Sequence, residues 1–194
     1  MIVNAKRQKK KSFPVPPAPK AAPAGHIRVV RRPGERARGL VLMEGRAFPV
    51  ALGPAGIRAL KREGDGATPA GVWHPVALRW RPDQRHRPAS PLPGRAMRRD
   101  DGWCDAPGHP GYNRAVRLPF RASHEEMWRA DRLYDLVVIL DHNQRPRTGR
   151  GGSAVFLHIA RPTFEPTAGC VAFRPADLAR LLTRLGPRTR IIVG

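Results

Sequence analysis

A chain of 194 residues suits one domain and is long enough to bury a real core. Its mean hydropathy is −0.46, and no apolar run approaches the ~18 residues of a spanning helix, so a helical membrane protein is excluded. The formal net charge of +21, from 36 basic and 15 acidic residues, suggests a negatively charged partner: nucleic acid, anionic lipid or an acidic glycopeptide. Only Lys6, Lys9, Lys10, Lys11, Lys20 and Lys61 are lysines, and the arginines are spread over the whole chain. That even spread favours solvated surface charge over a binding stripe.

The first 25 residues read as a disordered, basic, Pro/Ala-rich tail. Its cationic stretch Lys6 to Lys11 is followed by Ser12-Phe13-Pro14-Val15-Pro16-Pro17-Ala18-Pro19, too proline-broken to be the core of an export signal. The expected location is therefore cytoplasmic, or periplasmic if the true start of translation differs. Residues 26–194 read as one globular domain. Segments 26–31, 39–43 and 48–52 are predicted strands, with turns at Pro33-Gly34 and Glu44-Gly45. A turn-rich middle follows from Lys61 to Arg121.

Ser123-His124-Glu125-Glu126 has the form of a capping box and predicts a short helix through about Arg132. Leu136-Val137-Val138-Ile139-Leu140 predicts a buried strand, and segment 154–159 another. Pro175 opens a predicted helix with Leu178, Leu181, Leu182 and Leu185 at i, i+3, i+4 and i+7. Gly186-Pro187 stops it, and Arg190–Val193 predicts a last strand. Prolines (22) and glycines (19) exceed a fifth of the chain, in keeping with short strands and many turns. The fold class is mostly β.

Chemistry concentrates in the last third. His158 ends an apolar strand, and Cys170 follows 12 residues later, after a Pro- and Gly-containing turn. A thiol becomes a nucleophile when a histidine within hydrogen-bond reach takes its proton. Gly169 lets backbone approach a substrate, and N–H groups there suit an oxyanion hole. Spacing alone leaves open a buried structural cysteine and a satisfied core histidine.

Three ordered blocks narrow the reading. His158…Thr167-Ala168-Gly169-Cys170 resembles the H-x(n)-[S/T]-x-G-C signature of L,D-transpeptidase catalytic domains, the YkuD-like fold. Lys61-Arg62-Glu63-Gly64-Asp65-Gly66-Ala67-Thr68-Pro69-Ala70-Gly71-Val72-Trp73 and Tyr134-Asp135-Leu136-Val137-Val138 through Gly152-Ser153-Ala154-Val155-Phe156-Leu157-His158 are similar to two further segments of that family. The resemblance spans residues 27 to 194.

It implies a β-sandwich-like domain with a few short helices, acting on peptidoglycan stem peptides or muropeptides without a cofactor. It implies Cys170 as nucleophile on the meso-diaminopimelate carbonyl next to D-alanine, and His158 as base, oriented by a backbone carbonyl. Gly169 and the Cys170 N–H would hold the oxyanion, with Thr167 bonding within the loop. Many members carry an arginine two residues after the cysteine, where this chain has Ala172; Arg161 or Arg174 is expected to take over as substrate anchor.

Of the remaining candidates, His142 and Asn143 follow a predicted strand and either face the same cleft or sit on an exposed loop. Cys104 lies among acidic residues, which disfavour a thiolate, and is expected to be structural or pocket-lining. His74, His86, His109 and His124 show no metal-ligand spacing. Three functions stay open. The acyl-enzyme passes to an amine, making a cross-linking transpeptidase, or to water, making an L,D-carboxypeptidase. Otherwise the chain is a basic binding module without catalysis. Nucleic acid is the weaker partner, because the tryptophans are not interleaved with basic runs.

Overall fold

The structure, a computed structural model, describes residues 24–194. The basic tail expected over residues 1 to 25 lies outside the described residues except for its last two. In chain order the elements are β1 (His26–Arg31), β2 (Arg38–Met43), β3 (Arg46–Ala51), β4 (Ile57–Arg58), β5 (Thr68–Pro69), β6 (Gly71–Trp73), β7 (Pro75–Trp80) and β8 (Gly94–Ala96). There follow β9 (Asp101–Cys104), β10 (Arg114–Arg117), β11 (His124–Glu126), β12 (Leu136–Leu140), β13 (Phe156–Ile159), β14 (Val171–Phe173), α1 (Pro175–Leu182) and β15 (Arg190–Val193). Ten strands form one curled sheet in the order β6-β15-β1-β2-β3-β14-β13-β12-β7-β8. A three-stranded sheet, β10-β9-β11, stands apart, and β4 pairs with β5.

Side chains alternate across a strand, so a strand with two buried faces reads as an unbroken apolar run. β12 is such a strand, buried at all five positions. Its Leu136, Val138 and Leu140 enter a large core with Ile27, Val41, Phe48 and Phe173. Leu178, Leu181, Leu182 and Leu185 from the α1 region close that core, as their helical spacing predicts. Val137 and Ile139 face the other way, into a second cluster with Phe156, Trp103, Met127, Tyr134 and Cys170. The candidate chemistry lies on this second face.

Two expectations need correction. The capping-box segment does not form a helix: His124–Glu126 is β11, with Glu125 opposite Trp103 of β9, and Met127 N–H donates to Asp101 O at 3.0 Å. The segment has no apolar stripe at helical spacing to bury, so strand pairing outweighs a favourable cap. One helix, α1, is present among the described residues. The middle also holds more strand than its turns suggest, β5 to β10. Of these β7 shows a readable alternation, with Leu78 and Trp80 inward.

Ala24 and Gly25, the last two residues of the expected tail, are bonded to the domain. Ala24 is buried; its N–H donates to Arg184 O at 2.8 Å and its carbonyl accepts from Thr189 Oγ1 at 2.8 Å. Arg190 N–H donates to Gly25 O at 3.1 Å. Removing Ala24 to His26 strips a buried hydroxyl of its acceptor, at a cost of about 1–3 kcal/mol. In urea unfolding, a chain starting at Ile27 is expected to be less stable than one starting at Pro23 by at least that amount. Equal midpoints would show that these contacts contribute nothing.

Candidate active site

The site follows from the register of β13 against β14. These strands are parallel neighbours, with Leu157 opposite Val171 and His158 opposite Ala172. Continuing that register by one residue sets Cys170 beside Phe156, whose N–H donates to Sγ at 3.3 Å. His158 lies two residues beyond Phe156 and so projects from the same face. Residues 160–170 make the crossover that a parallel pair requires. Within it Thr167 N–H donates to Leu52 O at 3.0 Å, and Thr167 Oγ1 donates to Cys170 O at 2.7 Å.

Both groups of the pair are buried and neutral. Cys170 Sγ–H donates to Ala154 O at 3.1 Å, and Ala154 itself has a left-handed backbone, φ 51°, that aims this carbonyl. Burial pushes the Cys170 thiol up to about 12, with Glu125 adding to the rise while the Phe156 N–H and Lys61 oppose it. His158 Nδ1 bonds the Ile159 carbonyl at 2.8 Å. A carbonyl can only accept, so Nδ1 carries the proton and Nε2 holds the lone pair. Burial lowers His158 to about 4, against the pull of the Ile159 carbonyl. The resting state is therefore thiol and imidazole, with the thiol proton turned to Ala154.

Cys170 and His158 share a cleft of about 210 Å³. Thr167, Gly169 and Arg161 line it too, so the structure brings together these five expected residues. The cleft's charged groups are Lys61, Arg129 and Arg161 against Glu63, Asp105, Glu125 and Glu165. In a chain of net charge +21 this is no basic groove. Two outer grooves continue from it. One is lined by Asp105, Glu125, Glu126, Arg129 and Asp131, the other by Lys61, Arg62, Glu63 and Arg150.

Several cleft residues went unsingled by sequence. Tyr134 packs edge-on to His158, with ring centroids 5.2 Å apart, and its hydroxyl donates to Glu125 Oε2 at 2.8 Å. Burial, with Cys170 and the Glu125 carboxylate nearby, raises the Tyr134 phenol well above its ordinary value. Glu63 accepts from Tyr112 Oη at 2.5 Å, and Ser153 and Lys61 complete the wall. Lys61, Glu63, Tyr134 and Ser153 all stand in the quoted blocks, where the signal lay in position rather than residue type. Glu125 was hidden by the helix expected there.

Other expectations do not hold. The Gly169 N–H donates to Thr167 Oγ1 at 3.1 Å, so it is not a free oxyanion donor here. The glycine is needed for room instead. At φ 136° a Cβ would stand 2.6 Å from Ala67 O. Arg174 caps α1 away from the cleft, its guanidinium over the Phe164 ring at 5.4 Å. His142 is buried beside Trp73 and bonded through Nε2 to Gly151 O at 2.9 Å. Asn143 braces its own loop, bonding Thr148 and Gly152. Neither lines the cleft. Cys104 is fully buried on β9, 3.8 Å from His109 Nδ1, and both cysteines are free thiols. Among the described residues no three His, Cys, Asp or Glu side chains converge as a metal site.

No helix among the described residues is long and apolar enough to cross a membrane. Searches among curated proteins and among solved structures returned no match. A family model does match, over residues 28–193, and it describes the L,D-transpeptidase catalytic domain, YkuD. That span takes in nine strands of the ten-stranded sheet whole and β1 from Arg28 on, with the cleft, Cys170 and His158. The chain belongs to the L,D-transpeptidase catalytic domain family.

Proposed function

We propose that this domain cleaves the bond between meso-diaminopimelate and D-alanine in peptidoglycan stem peptides through a thioester on Cys170. The observation that carries this reading is the His158 Nδ1 bond to Ile159 O in the cleft that also holds Cys170 Sγ. It leaves Nε2 as the basic nitrogen and needs no carboxylate partner. On substrate entry the thiol turns from Ala154 O to His158. Sγ attacks the diaminopimelate carbonyl carbon while its proton passes to Nε2, so the thiolate need not exist beforehand. The tetrahedral intermediate collapses, the C–N bond breaks, and His158 returns the proton to the departing D-alanine amine.

An acceptor then attacks the thioester, giving its proton to His158, and the sulfur leaves to regain one. We assign the acceptor first to an amine of a second stem peptide. The cleft opens into two grooves of differing charge, which suits two peptides, and the carboxylate-rich one suits an ammonium group. Water is the alternative acceptor and yields an L,D-carboxypeptidase. Incubation with a disaccharide tetrapeptide, followed by mass spectrometry, separates them: a cross-linked dimer means transfer, and alanine loss alone means hydrolysis. Cys170→Ala is expected to abolish both products and Cys104→Ala to keep most activity. A dead Cys104→Ala with an active Cys170→Ala would assign the nucleophile wrongly.

A carbapenem is expected to add once to the intact protein, because its strained lactam carbonyl mimics the acyl donor. The adduct should vanish in Cys170→Ser; an adduct that persists would place the reaction elsewhere.

The pH dependence follows from the buried pair. The base form of His158 is complete above about pH 5 and is lost only as pH falls through about 4. The acid limb of kcat/KM is therefore expected near 4 rather than near 6.5, read in a buffer series at constant ionic strength. The unfolded chain takes up the histidine proton first, so stability falls as pH drops from about 6.5 to about 4, by roughly 3 kcal/mol at most. An acid limb centred near 6.5 would mean that His158 is solvated or is not the base.

A further inference from the structure

Over residues 24–194 the sequence has twenty-nine arginines and one lysine, Lys61. That lysine is in the cleft, with only 6% of its side chain exposed. A Cβ at Gly152 would stand 2.9 Å from Lys61 Cγ and 3.0 Å from Cε, and one at Gly169 would stand 3.6 Å from Nζ. The aliphatic stem thus threads beside one glycine and delivers its ammonium to another, the residue before Cys170. A guanidinium is planar and broad; a narrow stem with a compact charge is what this passage admits.

Nζ donates to Asp65 Oδ1 at 2.5 Å and to Arg62 O at 2.9 Å, which uses two of its three protons. Asp65 also accepts the N–H groups of Arg62 and Ala67, at 2.7 and 2.8 Å. Its charge is therefore shared with the loop rather than spent on the ammonium alone. Burial works to raise the Asp65 carboxyl, yet Lys61 and these two N–H groups hold it below its ordinary value. The other cleft cations are already engaged. Arg129 is bonded to Asp131 at 2.6 Å, and Arg161 to Glu165 at 3.0 Å. Of the two N–H groups expected to hold an oxyanion beside Cys170, that of Gly169 is taken by Thr167 Oγ1. The positive charge of Lys61 also favours the Cys170 thiolate, in opposition to Glu125.

We propose that Lys61 is a catalytic residue whose third ammonium proton meets the oxyanion formed at the carbonyl under attack by Cys170. This rests on the acyl-transfer reading above, with the ammonium taking the place of the backbone donor lost at Gly169. The cation comes from the loop before β5, not from the position two residues after the cysteine, where Ala172 stands. A charge that forms only in the transition state is stabilised without tightening substrate binding.

The test uses the full chain carrying Lys61→Met, which keeps the stem and removes the charge, and Asp65→Asn, which keeps the ammonium and loosens its anchor. Turnover of a disaccharide tetrapeptide and the rate of carbapenem addition to Cys170 are both measured, with melting temperature as the check on fold. Lys61→Met is expected to lose about 10²-fold or more in kcat at nearly constant KM, and to slow adduct formation similarly. Asp65→Asn is expected to lose much less. A Lys61→Met rate within threefold of the parent would overturn the proposal. So would a loss confined to KM, which marks a ground-state anchor, or equal losses in both variants, which mark a loop brace. Should Lys61→Met not fold, Lys61→Gln carries the same comparison. If the parent forms the adduct yet leaves the muropeptide intact, the substrate reading fails while the adduct rates still judge Lys61.

Discussion

The parallel pairing of β13 with β14 is the constraint on which the rest of the site depends. An antiparallel return would let a short turn set the position of the second strand. A parallel neighbour forces the chain over residues 160–170 before it re-enters the sheet. That crossover delivers Cys170 one residue ahead of Val171, opposite Phe156, on the face from which His158 also projects. The sheet ladder therefore sets the lateral offset of thiol and imidazole, and the loop needs only to hold its last turn. Thr167 does that holding, through Leu52 O on one side and Cys170 O on the other.

Burial then decides the electrostatics. Taking a thiol and an imidazole from water penalises both charged forms, and here it moves the two in opposite directions, thiol up and histidine down. A preformed thiolate–imidazolium pair is thus disfavoured in the cleft. Resting Cys170 is held instead by two backbone groups, the Phe156 N–H and the Ala154 carbonyl. In the proposed reaction, charge develops only as the sulfur meets a substrate carbonyl. A thiol kept in this state is protected from adventitious reaction, since the thiolate is the reactive form.

Much of this was legible in the sequence, and the failures have physical causes. β12 could be read because both its faces are buried, and α1 because Pro175 and four leucines mark its start and its buried stripe. Cys170 and His158 were singled out on the family resemblance, since the turn and the strand that carry them left a structural pair open; the two line one cleft. The segment after Ser123 misled because a local capping pattern says nothing of a partner strand 22 residues upstream, at Trp103. His142 and Asn143 stayed open between cleft and loop, because following a strand does not say which side of the sheet a loop turns to. Gly169 was singled out for approach to a substrate, whereas the neighbour its missing Cβ makes room for is Ala67 O. The competing acceptor, Thr167 Oγ1 two residues before it, was visible only in three dimensions.

One short stretch joins the two segments that build the cleft, although they lie a hundred residues apart. Leu52 O takes the N–H of Thr167 and so fixes the cysteine turn, while the next residue, Gly53, donates its N–H to Thr68 Oγ1 at 2.9 Å. A Cβ at Gly53 would stand 2.1 Å from Gly66 O, so only glycine lets the 61–68 loop close against the end of β3. Ala55 N–H to Gly66 O, at 3.1 Å, fastens the same loop once more. The loop that carries Lys61 and the turn that carries Cys170 are thereby referred to one point on one strand. Any movement of that strand end shifts both together, and the spacing between ammonium and sulfur is kept. A site assembled from loops acquires in this way the rigidity of the sheet beneath it.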